Sequence, residues 1–215
     1  LFVLPEGLPT ELNPLAFLVG SWEGVGAVSD KFLNPEDHKE RKFQQRVTFS
    51  HGEGNYLTYH ATSRLIGDAT DGSEDIELPA ELGFWRLARP AEQADFGPSV
   101  LPGTGNKSIQ SGEDLEKLRN DKDGFDIEAS IIHPGGAYEF YAGQVKSGRI
   151  DIRTVAGSHM PMHLVDAGKS WGYAERMYGT RTVEGVTKLY WLMEVASSVR
   201  DPLVNLVSVE LDRIG

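Results

Sequence analysis

The stretch Leu15-Ala-Phe-Leu-Val-Gly-Ser-Trp-Glu-Gly-Val-Gly26 decides how the chain folds. Gly20, Trp22, Gly24 and Gly26 fall on alternate positions, and in an extended strand alternate residues share a face. Three glycines and one tryptophan therefore line one side of the strand. Glycine weakens a strand interior, so its repetition at period two marks a tight bend or a close backbone approach around a large ring. Such a strand can close a small barrel; a flexible turn is the plainer alternative. A dinucleotide fingerprint is excluded, because its third glycine would fall on Ser29 and no helix pattern follows.

Outward from this stretch the chain reads as strands. Lys42 to His51 alternates, with Phe43, Gln45, Val47 and Phe49 on one face and Gln44, Arg46 and Thr48 on the other. Gly52-Glu-Gly-Asn55 makes a hairpin loop into a Tyr/Thr-rich strand, Tyr56 to Ile66. Leu78 to Ala88 carries Gly83-Phe-Trp-Arg86, with Pro79 near its start. Phe125, Ile127, Ala129 and Ile131 alternate, His133-Pro-Gly-Gly136 turns, and Tyr138, Phe140 and Ala142 continue. Strands follow at Ile150 to Val155, Trp171 to Thr180, Lys188 to Ser197 and Leu203 to Ile214. About ten short strands without a long amphipathic helix predict an all-β fold, a closed up-and-down barrel or a sandwich. The mixed face Tyr56, Thr58, His60, Thr62 suits a ligand cavity and a solvent face equally. Residues 90–123 break the pattern. They read as a long inserted surface loop with local disorder in a single domain spanning residues 1–215, and their charged part forms a helical turn or two.

Composition narrows the function. The 215 residues carry a net charge of -11, which repels nucleic acid and anionic membranes. No apolar run reaches the roughly 18 to 20 residues of a spanning helix. With no cysteine, disulfides, thiolate metal sites and cysteine nucleophiles are excluded, and the cytoplasm is the expected compartment. A monomer and a homodimer are equally reasonable. Six histidines are the candidates for neutral-pH chemistry. His38 and His133 sit in loop and turn contexts that predict solvation. His159 and His163 are separated by Pro161, which denies them a shared helical face. His51 and His60 are the better inward candidates, and with Tyr59 and Trp85 they make the expected cavity lining. No metal site and no paired acids stand out, and no catalytic residue is assigned.

Gly20-x-Trp22-x-Gly24-x-Gly26 after its apolar run resembles the opening of the nitrobindin family. The resemblance continues through Phe49-x-His51, Leu57-Thr-Tyr59, Glu81-x-Gly83-Phe-Trp-Arg86 and Leu211-x-Arg213, outside the insertion. It implies a compact antiparallel barrel similar to fatty-acid-binding proteins and lipocalins, typically of ten strands. It also implies ferric haem b held at the barrel mouth by one histidine of the last strand, nitric oxide binding, and isomerisation of peroxynitrite to nitrate. Anchored on Leu211-x-Arg213, the axial histidine falls on Leu206, and a one-residue slip offers Asn205; a second family histidine falls on Pro79. Haem iron needs a strong axial donor, which leucine is not. The leading expectation is therefore a haem-free barrel that takes a small apolar ligand or is vestigial, with no cofactor. The competing expectation is a haem-dependent peroxynitrite isomerase with an unusual donor, among which His60, Tyr59, Met160 and Met162 are conceivable. A fatty-acid carrier, with Arg46 and Arg64 receiving the carboxylate, is a third.

Overall fold

A computed structural model describes residues 4–215 apart from 37, 69, 71 and 99. A 3-10 helix, Thr10–Leu18, precedes β1 (Gly20–Ser29), β2 (Glu40–His51), β3 (Leu57–Leu65) and β4 (Ile76–Leu87). A short helix α1 (Gly112–Glu116) then leads to β5 (Phe125–Ile132), β6 (Tyr138–Lys146) and β7 (Arg149–Thr154). After α2 (Met162–Asp166) come β8 (Tyr173–Val183), β9 (Val186–Ala196) and β10 (Val204–Arg213). Every strand pairs antiparallel with its sequence neighbour, and β10 pairs with β1, so the ten strands form a closed up-and-down barrel. Closure satisfies both edges of the sheet at once.

The opening glycines act where the barrel closes. Gly24 lies opposite Leu211 and Gly26 opposite Val209. A Cβ on Gly24 would overlap the Glu210 carbonyl oxygen, and one on Gly26 would lie 2.6 Å from Val209 Cβ. Only glycine lets β10 come this close. Trp22 fills the space inside, fully buried, its Nε1 donating to the Leu18 carbonyl at 2.8 Å and its ring under Arg213 at 4.5 Å.

The alternation read from the sequence is the alternation of the wall. Phe43, Gln45, Val47 and Phe49 are buried, and Ile127, Ala129 and Ile131 join them in one core. The core is strongly aromatic: Trp85 packs edge-on to Tyr178 at 5.1 Å, and Tyr178 stacks on Trp191 at 5.5 Å.

One end of the barrel is plugged. Leu12, Leu15 and Leu18 of the 3-10 helix are fully buried in the core, each worth about 2 kcal/mol of apolar burial. The long segment after β4 packs at the same end. Arg89 at the end of β4 donates to both oxygens of Glu11 (2.7 and 3.0 Å) and both of Asp95 (2.9 and 2.8 Å). Asn55 adds a 2.7 Å bond to Asp95. Ser111 and Asp114 form a reciprocal capping box on α1, whose Leu115 is buried. The 3-10 helix, the β2–β3 hairpin and the segment after β4 are thereby tied together. The opposite end, bounded by the starts of β4, β6, β8 and β10, remains the mouth. No described helix is long and apolar enough to cross a membrane.

Candidate functional site

Three strands of the barrel wall aim charge inward near the mouth. Glu81 from β4, Glu139 from β6 and Arg176 from β8 occupy inward positions, and Arg176 and Glu139 are buried to 1% and 0% exposure. An isolated charge could not be held there, so the geometry is one of mutual satisfaction. Arg176 Nη2 donates to Glu81 Oε1 at 2.7 Å, and Nη1 donates to Oε2 at 2.9 Å. Nε donates to the Tyr141 hydroxyl at 2.9 Å, with longer bonds to Tyr178 (3.5 Å) and Glu139 (3.4 Å). All five guanidinium donors are thus engaged. Tyr59 donates to Glu81 at 2.7 Å, and Trp171 Nε1 donates to Glu139 at 2.8 Å.

His133 links this cluster to solvent. Its Nε2 lies 3.2 Å from Glu139 Oε2 and its Nδ1 lies 3.8 Å from Glu81 Oε1, while the side chain keeps 19% exposure. Burial would raise both carboxyls, but Arg176 with its bonds brings Glu81 down to about 2. For Glu139 the His133 hydrogen bond and Arg176 outweigh burial and lower it. Both are therefore carboxylates at neutral pH, and Glu139 is an acceptor for the His133 ring nitrogen beside it. Burial pushes the Tyr59 and Tyr141 hydroxyls well above their ordinary value, and Tyr178 also upward. The phenols stay protonated; Tyr59 donates to Glu81, while the Tyr141 and Tyr178 hydroxyl oxygens accept from Arg176. Two carboxylates against one saturated guanidinium leave excess negative charge inside the barrel. The cluster repels an anion.

The predicted site residues scatter. Tyr59 and Trp85 are inside, packed in the aromatic core, and Trp85 Nε1 is buried without a hydrogen-bond partner. His51 is half-buried at the plugged end, its Nδ1 also without a partner. His60 is exposed on the outer wall, as are Thr58 and Thr62, so the mixed face of β3 is its solvent face. Arg46 and Arg64 are outside as well, paired with Glu23 and Asp75, which removes the expected carboxylate receptor. His133, expected in solvent, is instead a member of the buried cluster. Paired acids, expected to be absent, are present as Glu81 and Glu139. Their signal was the inward parity of Glu139 with Tyr141 and of Arg176 with Tyr178; parity places them inside but does not say that they meet.

Leu206 sits at a singular point of β10. The register with β9 shifts between Asn205 and Val207, so Leu206 is the extra residue of a bulge, half-buried against the core. Bulges re-aim side chains. Around it one inward row crosses four strands by register: Val28 opposite Val207, Val207 opposite Met193, Met193 opposite Arg176. Met160 and Met162 lie in and beside α2, with Met162 exposed. Tyr59 is committed to Glu81. Among the described residues no group of three or more histidines, aspartates or glutamates could hold a metal ion.

A family model for the THAP4-like, heme-binding beta-barrel domain matches residues 11–213. Proteins named peroxynitrite isomerase from Leifsonia xyli subsp. xyli and Clavibacter michiganensis subsp. michiganensis are each 39% identical to this chain, covering 90% of it and 90% of their own length. One from Kocuria rhizophila is 38% identical over 98% of this chain and 94% of its own. The crystal structure of Rv2717c from M. tuberculosis shares the fold at TM-score 0.60 and 20% identity, covering 99% of this chain and 100% of that one. These findings overturn the haem-free reading drawn from Leu206. The relatives that match almost the whole chain carry the isomerase name, and the matched domain is a haem-binding one.

Proposed function

The chain belongs to the family of THAP4-like, haem-binding β-barrel domains, the nitrobindin family its opening motif resembles, and we propose from that premise that it binds haem and isomerises peroxynitrite to nitrate. The observation that carries this reading is 39% identity sustained over 90% of both chains with proteins of that name. Ferric haem would supply the electrophilic centre of the isomerisation. The chain's own residues make the surroundings: the plugged end excludes water from one side, the aromatic core gives an apolar floor, and the Arg176 cluster fixes the protonation of the inner wall.

The fit to haem differs between ring and iron. Val28 and Val207, half-buried against the core, would offer the ring hydrocarbon contact. For the iron, β10 presents Leu206 at the bulge, which has no donor atom, so the residues present do not fit ligation by an imidazole of the last strand. Met193, directly opposite Val207, carries a thioether, and Asn205 precedes the bulge residue with an amide. The zero cysteine count supports a reducing compartment, and we take the cytoplasm as its place.

The test is the decay of peroxynitrite in the presence of haem-loaded protein, followed by stopped flow with nitrate and nitrite measured at the end. The reading predicts decay faster than with an equal concentration of free ferric haem, and nitrate as the product. Decay no faster than with free haem contradicts it.

A further inference from the structure

In a chain of net charge -11, one face of the outer barrel wall carries no formal charge. By register, His60, Leu82, Ile132 and Tyr138 form one outward row across β3, β4, β5 and β6, and Thr58, Phe84, Ser130 and Phe140 form the next. None of the eight is Asp, Glu, Lys or Arg. Leu82, Phe84, Ile132 and Tyr138 keep 53%, 55%, 50% and 47% exposure. Single exposed apolar residues are ordinary, but four large ones on adjoining positions make a contiguous patch of the kind that marks a contact surface. Tyr56 extends it, its ring edge-on to Phe84 at 5.4 Å. Charge returns in the next row toward the plugged end, where Arg86 is bonded to Glu128 at 2.7 Å.

Charge and shape together select the occupant. Copies of so acidic a chain repel one another, and an uncharged face is where that repulsion is least. The face is also complementary to itself about the line between β4 and β5. A two-fold axis along that line lays β4 of one copy over β5 of the other, and β3 over β6, as an isologous contact requires. Leu82 then meets Ile132 of the second copy, the bulky Phe84 meets the small Ser130, and Arg86 at the rim meets Glu128. Large faces small, apolar faces apolar, and cation faces anion.

We propose that the outer face of β3 to β6 joins two copies of this chain in a two-fold dimer centred on Leu82, Phe84 and Ile132. At half exposure an aromatic side chain leaves about 100 Å² open. The patch with its rim comes to about 600 Å² per copy, short of the roughly 800 Å² per partner of a standard interface. The dimer is therefore reversible, with a dissociation constant of roughly 10–100 µM.

The experiment is sedimentation velocity on the full chain at physiological salt, from about 1 µM to about 500 µM, a range that brackets the expected constant. Wild type is expected to pass from monomer to dimer and to stop there, since a two-fold contact closes on itself. Phe84→Glu should stay monomeric to the top of the range with an unchanged far-UV spectrum. Val186→Glu, at an equally exposed site at the start of β9, should dimerise as wild type does. Arg86→Glu and Glu128→Arg should each weaken the dimer about ten-fold, because like charges then face each other across the axis, and an equimolar mixture of the two proteins should recover the wild-type affinity. If Phe84→Glu does not fold, this charge-swapped pair reads the same contact. A wild-type chain that stays monomeric overturns the proposal, whatever other protein binds this face. A dimer that survives Phe84→Glu, growth beyond a dimer, or a mixture no stronger than its components overturns it too.

Discussion

The barrel holds two arginine-centred ion clusters, one at each end, and their difference separates scaffold from site. Arg89 at the plugged end faces three carboxylates, Glu11, Glu92 and Asp95, and Arg176 near the mouth faces two, both in largely buried surroundings. Arg89 binds Glu11 and Asp95, which come from the 3-10 helix and from the segment after β4. These partners are chain segments that must be held. Arg176 binds strands that hydrogen bonding already holds. It adds three phenols and a histidine that reaches solvent, which join groups from separate strands across the interior. The same pair chemistry fastens a lid in one place and sets the charge of an interior wall in the other.

The largest expected effect falls on Arg176. Arg176→Met leaves Glu81 and Glu139 buried without their cation, which costs about 3–5 kcal/mol; urea unfolding should show it as a large fall in midpoint, with retained far-UV signal in the folded baseline. Arg89→Leu should cost less, about 2–3 kcal/mol, because Asp95 can turn to water. It should also leave porphyrin binding unchanged, since the plugged end is remote from the mouth. If Arg89→Leu weakens porphyrin binding as much as Arg176→Met does, the division into scaffold and site is wrong.

Acid sharpens the same comparison. Glu81 is held at about 2 against an ordinary 4.5, a depressed value whose stabilisation is complete above pH 4.5 and is lost as pH falls toward 2. The linked stability is of order 3 kcal/mol. Asp95 is lowered to about 2 as well, from 3.8, by Arg89, so the plugged end loses its tie in an overlapping window that starts lower. Glu81→Gln should therefore flatten the acid limb of a stability-against-pH profile between 4.5 and 2 and lower the plateau at pH 7. An unchanged acid limb would mean that Glu81 is not paired in solution.

Much of the fold was legible in the chain. The period-two glycines around Trp22 identify the seam strand, and the register confirms them: Gly24 and Gly26 touch the β10 backbone itself. β2 and β5 could be read because one of their faces is mainly apolar, with Gln45 the exception on β2. The face of β3 could not, because Tyr56, Thr58, His60 and Thr62 are chemically ambivalent, and His60 went to solvent. The buried cluster was invisible for a different reason. Glu81, Glu139 and Arg176 come from β4, β6 and β8, strands that are not neighbours in the sheet, and they meet only across the barrel interior. His133 was misread because a Pro-Gly-Gly turn argues for solvent, while its ring reaches back to Glu139, six residues on.

The smallest structural change carries the most specific spectroscopic consequence. Leu206→His places an imidazole at the β10 bulge, where it should cost under about 1.5 kcal/mol of stability at a half-buried site and give a ferric haem complex with a histidine-ligated spectrum. A variant without that spectrum would mean that the bulge does not aim position 206 at the ligand.

Titration of the wild-type protein with ferric haem, followed at the Soret band, tests the central claim most directly. The account predicts saturation at one haem per chain, with a spectrum unlike that of Leu206→His because the donor is not a histidine of β10. A wild-type titration indistinguishable from haem in buffer would contradict it.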